Sequence, residues 1–351
     1  MNYNKIVQGI LDIGEAMLQS GAENFRLEDS FYRMCRSYGF KRSDVFVIPS
    51  NIQVTVETPE GEIITQIRHI ESSEPNFDQL DYLNNLCRYV CQHTPDENEM
   101  REKYLEVINR EPQKRITRYA AGIMGGTGFA VFFGCNLWDA VIAFIVSLMI
   151  VAVGDWLAKR ESNLLVYNGI LAFISEVIII GALKMGIAEH PDRIMIGIVM
   201  LLISGLSTTN GIRDLLQRDF ISGFINIMNS FLGAAGIAFG IGLAIILFHE
   251  GYSDHFILNH SVPIQLLSCT VACTGFALWF KIRGKQVWYN SIGAFFTWAI
   301  YVAVYAVKPS NFLATMIAAG FVGFYAFIMS RVNKAPSTIF LTASVFPLIP
   351  G

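Results

Sequence analysis

A polar, glycine-containing stretch follows a long apolar segment near the middle of the chain. It runs from Ser204 to Gly211 and is followed at once by Arg213 and Asp214. A guanidinium group binds a carboxylate through two parallel hydrogen bonds, and a neighbouring carboxylate can bind an ammonium group or orient the arginine. Glycines also permit a helix to unwind, which frees backbone groups for binding. The stretch therefore predicts a binding site for a small zwitterion or carboxylate.

Hydroxyl and amide side chains would line this site. The candidates are Ser207, Thr208 and Asn210, with Asn226 in the next apolar segment, and Gly205 would break the helix. Two simpler interpretations remain open. The stretch could be a cytoplasmic loop whose Arg213 only follows the positive-inside rule. Asn226 could bond to another helix, which is the commoner role of an amide inside a bilayer.

One acidic residue, Glu176, lies in the middle of the apolar run from Leu164 to Lys184. Placing an ionised carboxylate there costs about 2.5–3.5 kcal/mol on insertion scales. A carboxyl group in that setting is readily protonated, which suits a proton carrier. The alternatives are a protonated structural acid bonded to a neighbouring helix, or a segment shifted so that Glu176 faces water.

The composition is that of a membrane protein with a polar part. Of the 351 residues, 53% are hydrophobic and 16% are charged, whereas soluble domains carry about 25% charged residues. The net charge of −3 gives no indication of nucleic acid as a partner. The six cysteines include no CxxC pair, so the sequence predicts no metal ion and no other cofactor.

The polar part is the N-terminal segment 1–115, which we expect to form a small α+β domain in the cytoplasm. Apolar stripes predict helices, and three short β-rich runs predict strands joined at Thr58–Gly61. Its acidic residues include Glu23 and Glu28, but no Ser or Cys nucleophile with a spaced His accompanies them. We expect these charges to form a solvated helix face with ion pairs, and the domain to be regulatory or structural.

Nine apolar segments of membrane-spanning length follow this domain. Five belong to a first membrane unit, residues 116–250, and four to a second, residues 261–351. Their approximate limits are 117–134, 138–157, 164–184, 193–209, 220–248, 263–281, 286–307, 311–330 and 336–351. Basic residues are concentrated in alternate loops between these segments, so the positive-inside rule places the N-terminal domain in the cytoplasm. We expect the protein to lie in the inner membrane of a bacterial cell.

The two membrane units carry related sequences. Thr127–Ala130 and Thr274–Ala277 both read TGFA, and Asp139–Val153 aligns with Asn290–Val304. Five spans are an odd number, so the second unit must cross the membrane in the opposite sense. We therefore expect an α-helical polytopic membrane protein with inverted five-helix repeats.

The second repeat stops after its fourth span. Pro347, Pro350 and Gly351 are expected to break the helix that corresponds to the one broken at Gly205. A helix that ends inside a bilayer leaves backbone groups without partners. We therefore expect a tenth span after Gly351.

The motifs resemble those of the threonine/serine exporter family. The resemblance rests on Leu11–Glu23 with Arg26–Asp29, on Asn210–Asp214 with Asp219 and Ser222-Gly223, and on Lys334–Phe340 with Pro347–Gly351. It implies ten spans, export of small amino acids or short carboxylates, and coupling to the proton gradient. Related carriers associated with succinate export are split into two subunits, which here appear fused. Ser204-Gly205 stands where the family has Pro-Gly, and Asn226 where it often has Arg.

The sequence thus favours a secondary transporter that exports threonine and serine or short dicarboxylates by alternating access, rather than an enzyme. Arg213 and Asp214 would bind the substrate, and Glu176 would carry the proton. A homo-oligomer or a second membrane subunit remains possible as a partner. Two alternatives stay open: a passive channel for small organic acids, and a membrane-tethered enzyme with a hydrolytic N-terminal domain.

Overall fold

A computed structural model describes residues 2–71, 74–203, 205–248 and 261–349. The predicted helix-breaking residues Pro350 and Gly351 lie outside the described residues. The chain forms two compact units. The first unit comprises residues 1–112 and 208–227, and the second unit comprises residues 113–207 and 228–351.

The first unit is built on a three-stranded antiparallel sheet with the strand order β1-β2-β3. Gly61, with a φ of +89°, lies in the turn between β2 and β3, as the sequence predicts. Within this unit the elements of the N-terminal domain are α1 (Tyr3–Gln19), α2 (Asn24–Ser37), β1 (Arg42–Ile48), β2 (Asn51–Glu57), β3 (Ile63–His69), α3 (Phe77–His93) and α4 (Glu97–Ile108).

Apolar periodicity explains this arrangement. Every third or fourth residue of α1 is apolar and buried, from Ile6 to Met17. Alternate residues of β2, namely Ile52, Val54 and Val56, are buried as well, as expected of a sheet with one face covered by helices. The predicted strands and helices of the N-terminal segment are therefore present.

Helices are the only regular elements among the described residues of the second unit. Two elements, α9 and α10, also contribute residues to the first unit. The elements are α5 (Arg115–Phe132), α6 (Leu137–Leu157), α7 (Leu164–Lys184), α8 (Pro191–Leu202), α9 (Gly205–Leu216), α10 (Phe220–Phe248), α11 (Val262–Trp279), α12 (Lys285–Val307), α13 (Asn311–Asn333), α14 (Ser337–Val345) and a 3₁₀ turn at Phe346–Leu348.

Six of the described helices are long and apolar enough to cross a membrane, and the broken pair of α8 and α9 supplies a seventh candidate. These findings fit a polytopic membrane protein. The sequence predicted nine spans. The difference lies in α5, whose arginines and glycines lower its hydropathy, and in α14, whose nine residues rise only about 14 Å.

Helices α5 and α11 pack with their backbones close together. An added Cβ at Gly128 would lie 2.9 Å from the backbone of Ala272, and one at Gly275 would lie 2.5 Å from the amide nitrogen of Gly125. The Phe129 and Phe276 rings meet edge to face, 5.5 Å apart. Residue numbers therefore rise along α5 as they fall along α11, so the two helices run antiparallel.

Helices α7 and α10 also meet at glycines, but they run in the same direction. Gly236 contacts the carbonyl oxygen of Leu165, and Gly240 contacts that of Gly169. The Asn168 side chain donates a hydrogen bond to the Gly233 carbonyl oxygen at 3.2 Å. Because α7 and α10 run in the same direction, the residues between them must lead from the end of α7 back to the level at which α7 begins.

The glycine contact between α7 and α10 predicts a selective effect on stability. A methyl group at Gly240 would collide with the Gly169 backbone, whereas one at Gly242 would meet no atom within 4 Å. Overpacking costs roughly 1–3 kcal/mol, and alanine favours a helix over glycine by about 1 kcal/mol. We expect Gly240→Ala to lower the Tm of the purified protein and the control Gly242→Ala to leave it equal or higher. Equal losses in both variants would contradict the contact.

Candidate functional site

A cluster of charged and amide side chains occupies the first unit, where the end of α9 meets the start of α2. Asp214, on α9, is only 3% exposed. Its Oδ2 atom accepts hydrogen bonds from the Asn226 amide at 3.0 Å and from the Asn24 amide at 3.4 Å. Asp214 is thus held by one residue close in sequence and by another 190 positions away.

Arg213, the neighbour of Asp214, forms an ion pair with Glu23. Glu23 is 8% exposed, and its second oxygen lies 3.1 Å from Nε of Arg26. One carboxylate therefore lies between two guanidinium groups. The expected ion pairs are present, but the expectation of a solvated helix face is wrong for Glu23, because its side chain is buried beside Arg213.

A second row of polar groups joins the start of α10 to β1. The Ser222 hydroxyl donates to the Val47 carbonyl oxygen at 3.4 Å, and the Ser222 amide donates to Asp219 at 3.2 Å. Burial raises the pKa of Glu28. A hydrogen bond from the Val47 backbone partly opposes the shift, and the carboxylates of Asp219 and Asp214 add to it.

The other predicted lining residues lie on α9, and the structure corrects one expectation about them. Residues 205–216 are helical, so the polar stretch that follows Gly205 is not unwound; the interruption lies between Leu202 and Gly205. Asn210 and Asp214 are four residues apart and share a helix face. Thr208 and Asn210 belong to the first unit with the cluster, whereas Ser207 belongs to the second.

Glu176 belongs to the second unit, on α7, where it is 1% exposed. Asn168, two turns earlier on the same helix, bonds to α10 as an interhelical amide. Near the predicted second helix break, α14 ends at Val345 and Pro347 lies in the following 3₁₀ turn. Asp155 pairs at 2.8 Å with Arg118 of α5.

The sequence reasoning missed Glu23 and Asn24 as members of the cluster. Glu23 is the last residue of the Leu11–Glu23 motif that carried the family resemblance, and Asn24 lies between that motif and Arg26–Asp29. The resemblance identified this segment as part of a family motif, but it did not predict which residues the segment contacts. The contact joins the N-terminal domain to Arg213 and Asp214 of α9, within the first unit.

The raised pKa of Glu28 predicts a pH dependence of stability. A carboxyl group whose pKa is higher in the folded state holds its proton more tightly there, so its contribution to stability is lost as the pH rises from the ordinary value of 4.5 through the raised value. Glu28→Gln removes this titration. We expect the Tm of the variant, relative to the original protein, to increase across that pH window in thermal unfolding scans. A Tm difference independent of pH would contradict the assignment.

Comparison with known proteins gives the family. Residues 8–248 match a family model described as "Putative threonine/serine exporter", and residues 265–351 match a second model described as "Threonine/Serine exporter, ThrE". The chain is 23% identical over 356 residues to the threonine/serine exporter of Corynebacterium glutamicum, covering 97% of this chain and 72% of the relative.

A further relative is the probable threonine/serine exporter of Mycobacterium tuberculosis, 21% identical over 370 residues, covering 100% of this chain and 69% of the relative. No solved structure matches the chain. The first family model alone spans well over half of the sequence, including the α2 motif and the Arg213–Asp214 signature. The chain belongs to the threonine/serine exporter family.

Proposed function

We propose that this chain exports small amino acids, with threonine and serine as its substrates, and that Arg213 and Asp214 bind them. The observation that carries the proposal is the adjacency of these two opposite charges. Arg213 has the geometry to receive an α-carboxylate, and Asp214 can receive an ammonium group. Asn226 orients Asp214 from α10, and Thr208 and Asn210, which belong to the same unit, supply a hydroxyl and an amide group along α9.

The charge of the cluster favours a zwitterion over a dicarboxylate such as succinate. Four acidic side chains lie in or beside it, and two basic ones accompany them. They are Glu23, Glu28, Asp214 and Asp219, with Arg26 and Arg213. A dianion without an ammonium group would meet an excess of like charge, which costs free energy when the groups are partly buried.

Alternating access between inverted repeats is the proposed mechanism. The antiparallel packing of α5 and α11 supports it, since these helices contain the two TGFA copies. Gly128 packs on Ala272 and Gly275 packs on Gly125, and Gly128 and Gly275 are corresponding residues of the two copies. A two-fold relation exchanges contacts in this way. We place the N-terminal domain on the cytoplasmic side of the bacterial plasma membrane, on the asymmetry of basic residues.

Glu176 is the proposed proton carrier. Its burial inside α7, a helix of membrane-spanning length, supports this role. An acid within such a helix is a candidate for a proton relay by default. Protonation from one side of the membrane and release to the other would couple export to the proton gradient.

Transport by purified protein in proteoliposomes tests the substrate site. Removing one partner of a buried charge pair costs about 2–5 kcal/mol, so we expect Arg213→Gln to raise the KM for threonine counterflow about thirtyfold or more. Arg218→Gln is the matched control, because Arg218 follows on the same segment but is exposed. Equal defects in both variants would mean that only the distribution of positive charge matters.

An imposed pH gradient tests the proton carrier. We expect Glu176→Gln to abolish threonine accumulation driven by the gradient while leaving counterflow, which needs no net proton movement. Glu161→Gln, at the loop before α7, should retain both activities. Accumulation that persists in Glu176→Gln would exclude Glu176 as the carrier, and accumulation insensitive to the gradient in the original protein would exclude proton coupling.

A further inference from the structure

The corner between α1 and α2, residues Ser20–Asn24, presents two neighbouring side chains to the proposed substrate groups. The Glu23 carboxylate pairs with Arg213, and the Asn24 amide donates to Asp214. An amino acid would offer the same two functions to the same two residues: a carboxylate to the guanidinium and an N–H donor to the carboxylate. The corner therefore offers Arg213 and Asp214 the same two kinds of group that an amino acid would offer them.

The backbone of the corner is fixed independently of this contact. Gly21 adopts a φ of +89°. The amides of Glu74 and Asn76 donate to the carbonyl oxygens of Gln19 and Ser20 at 3.0 and 3.1 Å. Glu23 begins α2 in an extended conformation, but its side chain makes no capping bond to its own helix. Its carboxylate is thus directed to the side chains of Arg213 and Arg26 and not to the backbone amides in the first turn of α2.

Both sides of the contact keep a partner when it opens. Glu23 still has Arg26, whose Nε lies 3.1 Å from its second oxygen. Asp214 still has Asn226, whose hydrogen bond at 3.0 Å is shorter than the one from Asn24 at 3.4 Å. Opening would leave neither carboxylate buried without a partner, which is the costly outcome for such groups. Arg213 would be released to bind a new carboxylate.

We propose that Glu23 and Asn24 form an internal ligand that occupies the Arg213–Asp214 site and is displaced when the substrate binds. This inference rests on the proposed function of that site. Substrate must compete with the corner, so the apparent affinity is reduced by the fraction of molecules in which the corner is released. The N-terminal domain then sets the substrate concentration at which export begins.

Counterflow kinetics in proteoliposomes test the competition. We expect Glu23→Gln to lower the KM for threonine, on the order of tenfold if the corner occupies the site nine-tenths of the time. Asn24→Ala should lower the KM by less, and it serves where Glu23→Gln fails to fold. Glu15→Gln is the control: this acid lies on α1 and pairs with Arg68 instead, so its KM should not change. A KM that rises or stays constant in both corner variants would overturn the proposal.

Hydrogen exchange of the original protein gives a second readout that needs no variant. Displacement of the corner should increase exchange of the amides in the first turn of α2 when threonine is added. Unchanged or slower exchange would overturn the proposal. The two hypotheses fail separately. If Arg213→Gln leaves transport intact, the substrate site itself is wrong; if Arg213 is required but the corner variants keep the original KM, only the internal ligand is wrong.

Discussion

The pairing of Arg213 and Asp214 with the start of α2 is the interaction on which the proposed mechanism depends. Charged groups with little exposure are tolerated only when other groups satisfy them. Here Glu23, Asn24 and Asn226 do so, and two of these three come from a domain that precedes the membrane helices in sequence. The same requirement that stabilises the cluster therefore joins the N-terminal domain to the α9 signature, and a change in either element must affect the other.

The second unit depends on a different constraint. Within a lipid bilayer, apolar helices gain little free energy by burying apolar surface against one another, because the lipid tails are equally apolar. Close backbone packing and interhelical hydrogen bonds must therefore hold the helices together. Glycines provide this approach between α5 and α11, between α7 and α10, and also between α8 and α5, where Gly197 meets the Ala130 backbone. The hydrogen bond from Asn168 to the Gly233 carbonyl oxygen reinforces the second contact. These contacts fix helix directions, and helix directions decide whether two related halves can face opposite sides of a membrane.

Local sequence patterns predicted the elements well. The stripe of α1, the hairpin at Gly61 and most of the long apolar helices follow from periodicity and turn chemistry, which act over a few residues. Hydropathy overestimated α14, since it counted the apolar residues at and after Pro347, where a helix break was expected, as part of one span. The hydropathy of the sequence also led us to count α5 as a membrane span like its neighbours, although α5 is rich in glycine and carries two arginines.

Long-range partners were beyond the reach of the sequence. Arg213 and Asp214 were predicted as binding residues because a guanidinium group and a neighbouring carboxylate can bind a zwitterion. No local pattern paired them with residues 190 positions earlier in the sequence. For this reason the sequence predicted that the Glu23 side chain is solvated. The polar stretch after Gly205 read as unwound because its glycines permit that, yet its residues continue a regular helix in the structure. Glycines permit an unwound backbone, but the packing around this segment determines which conformation it adopts.

Equilibrium binding of labelled threonine to the purified protein, competed by analogues that lack one charge, tests the central claim most directly. Serine should compete, whereas the methyl ester of threonine, which has no carboxylate, and the corresponding 2-hydroxy acid, which has no ammonium group, should each compete at least tenfold more weakly, given about 1.4 kcal/mol or more for each lost charged contact. If either analogue competes as well as serine, Arg213 and Asp214 do not recognise a zwitterion, and this account of the site is wrong.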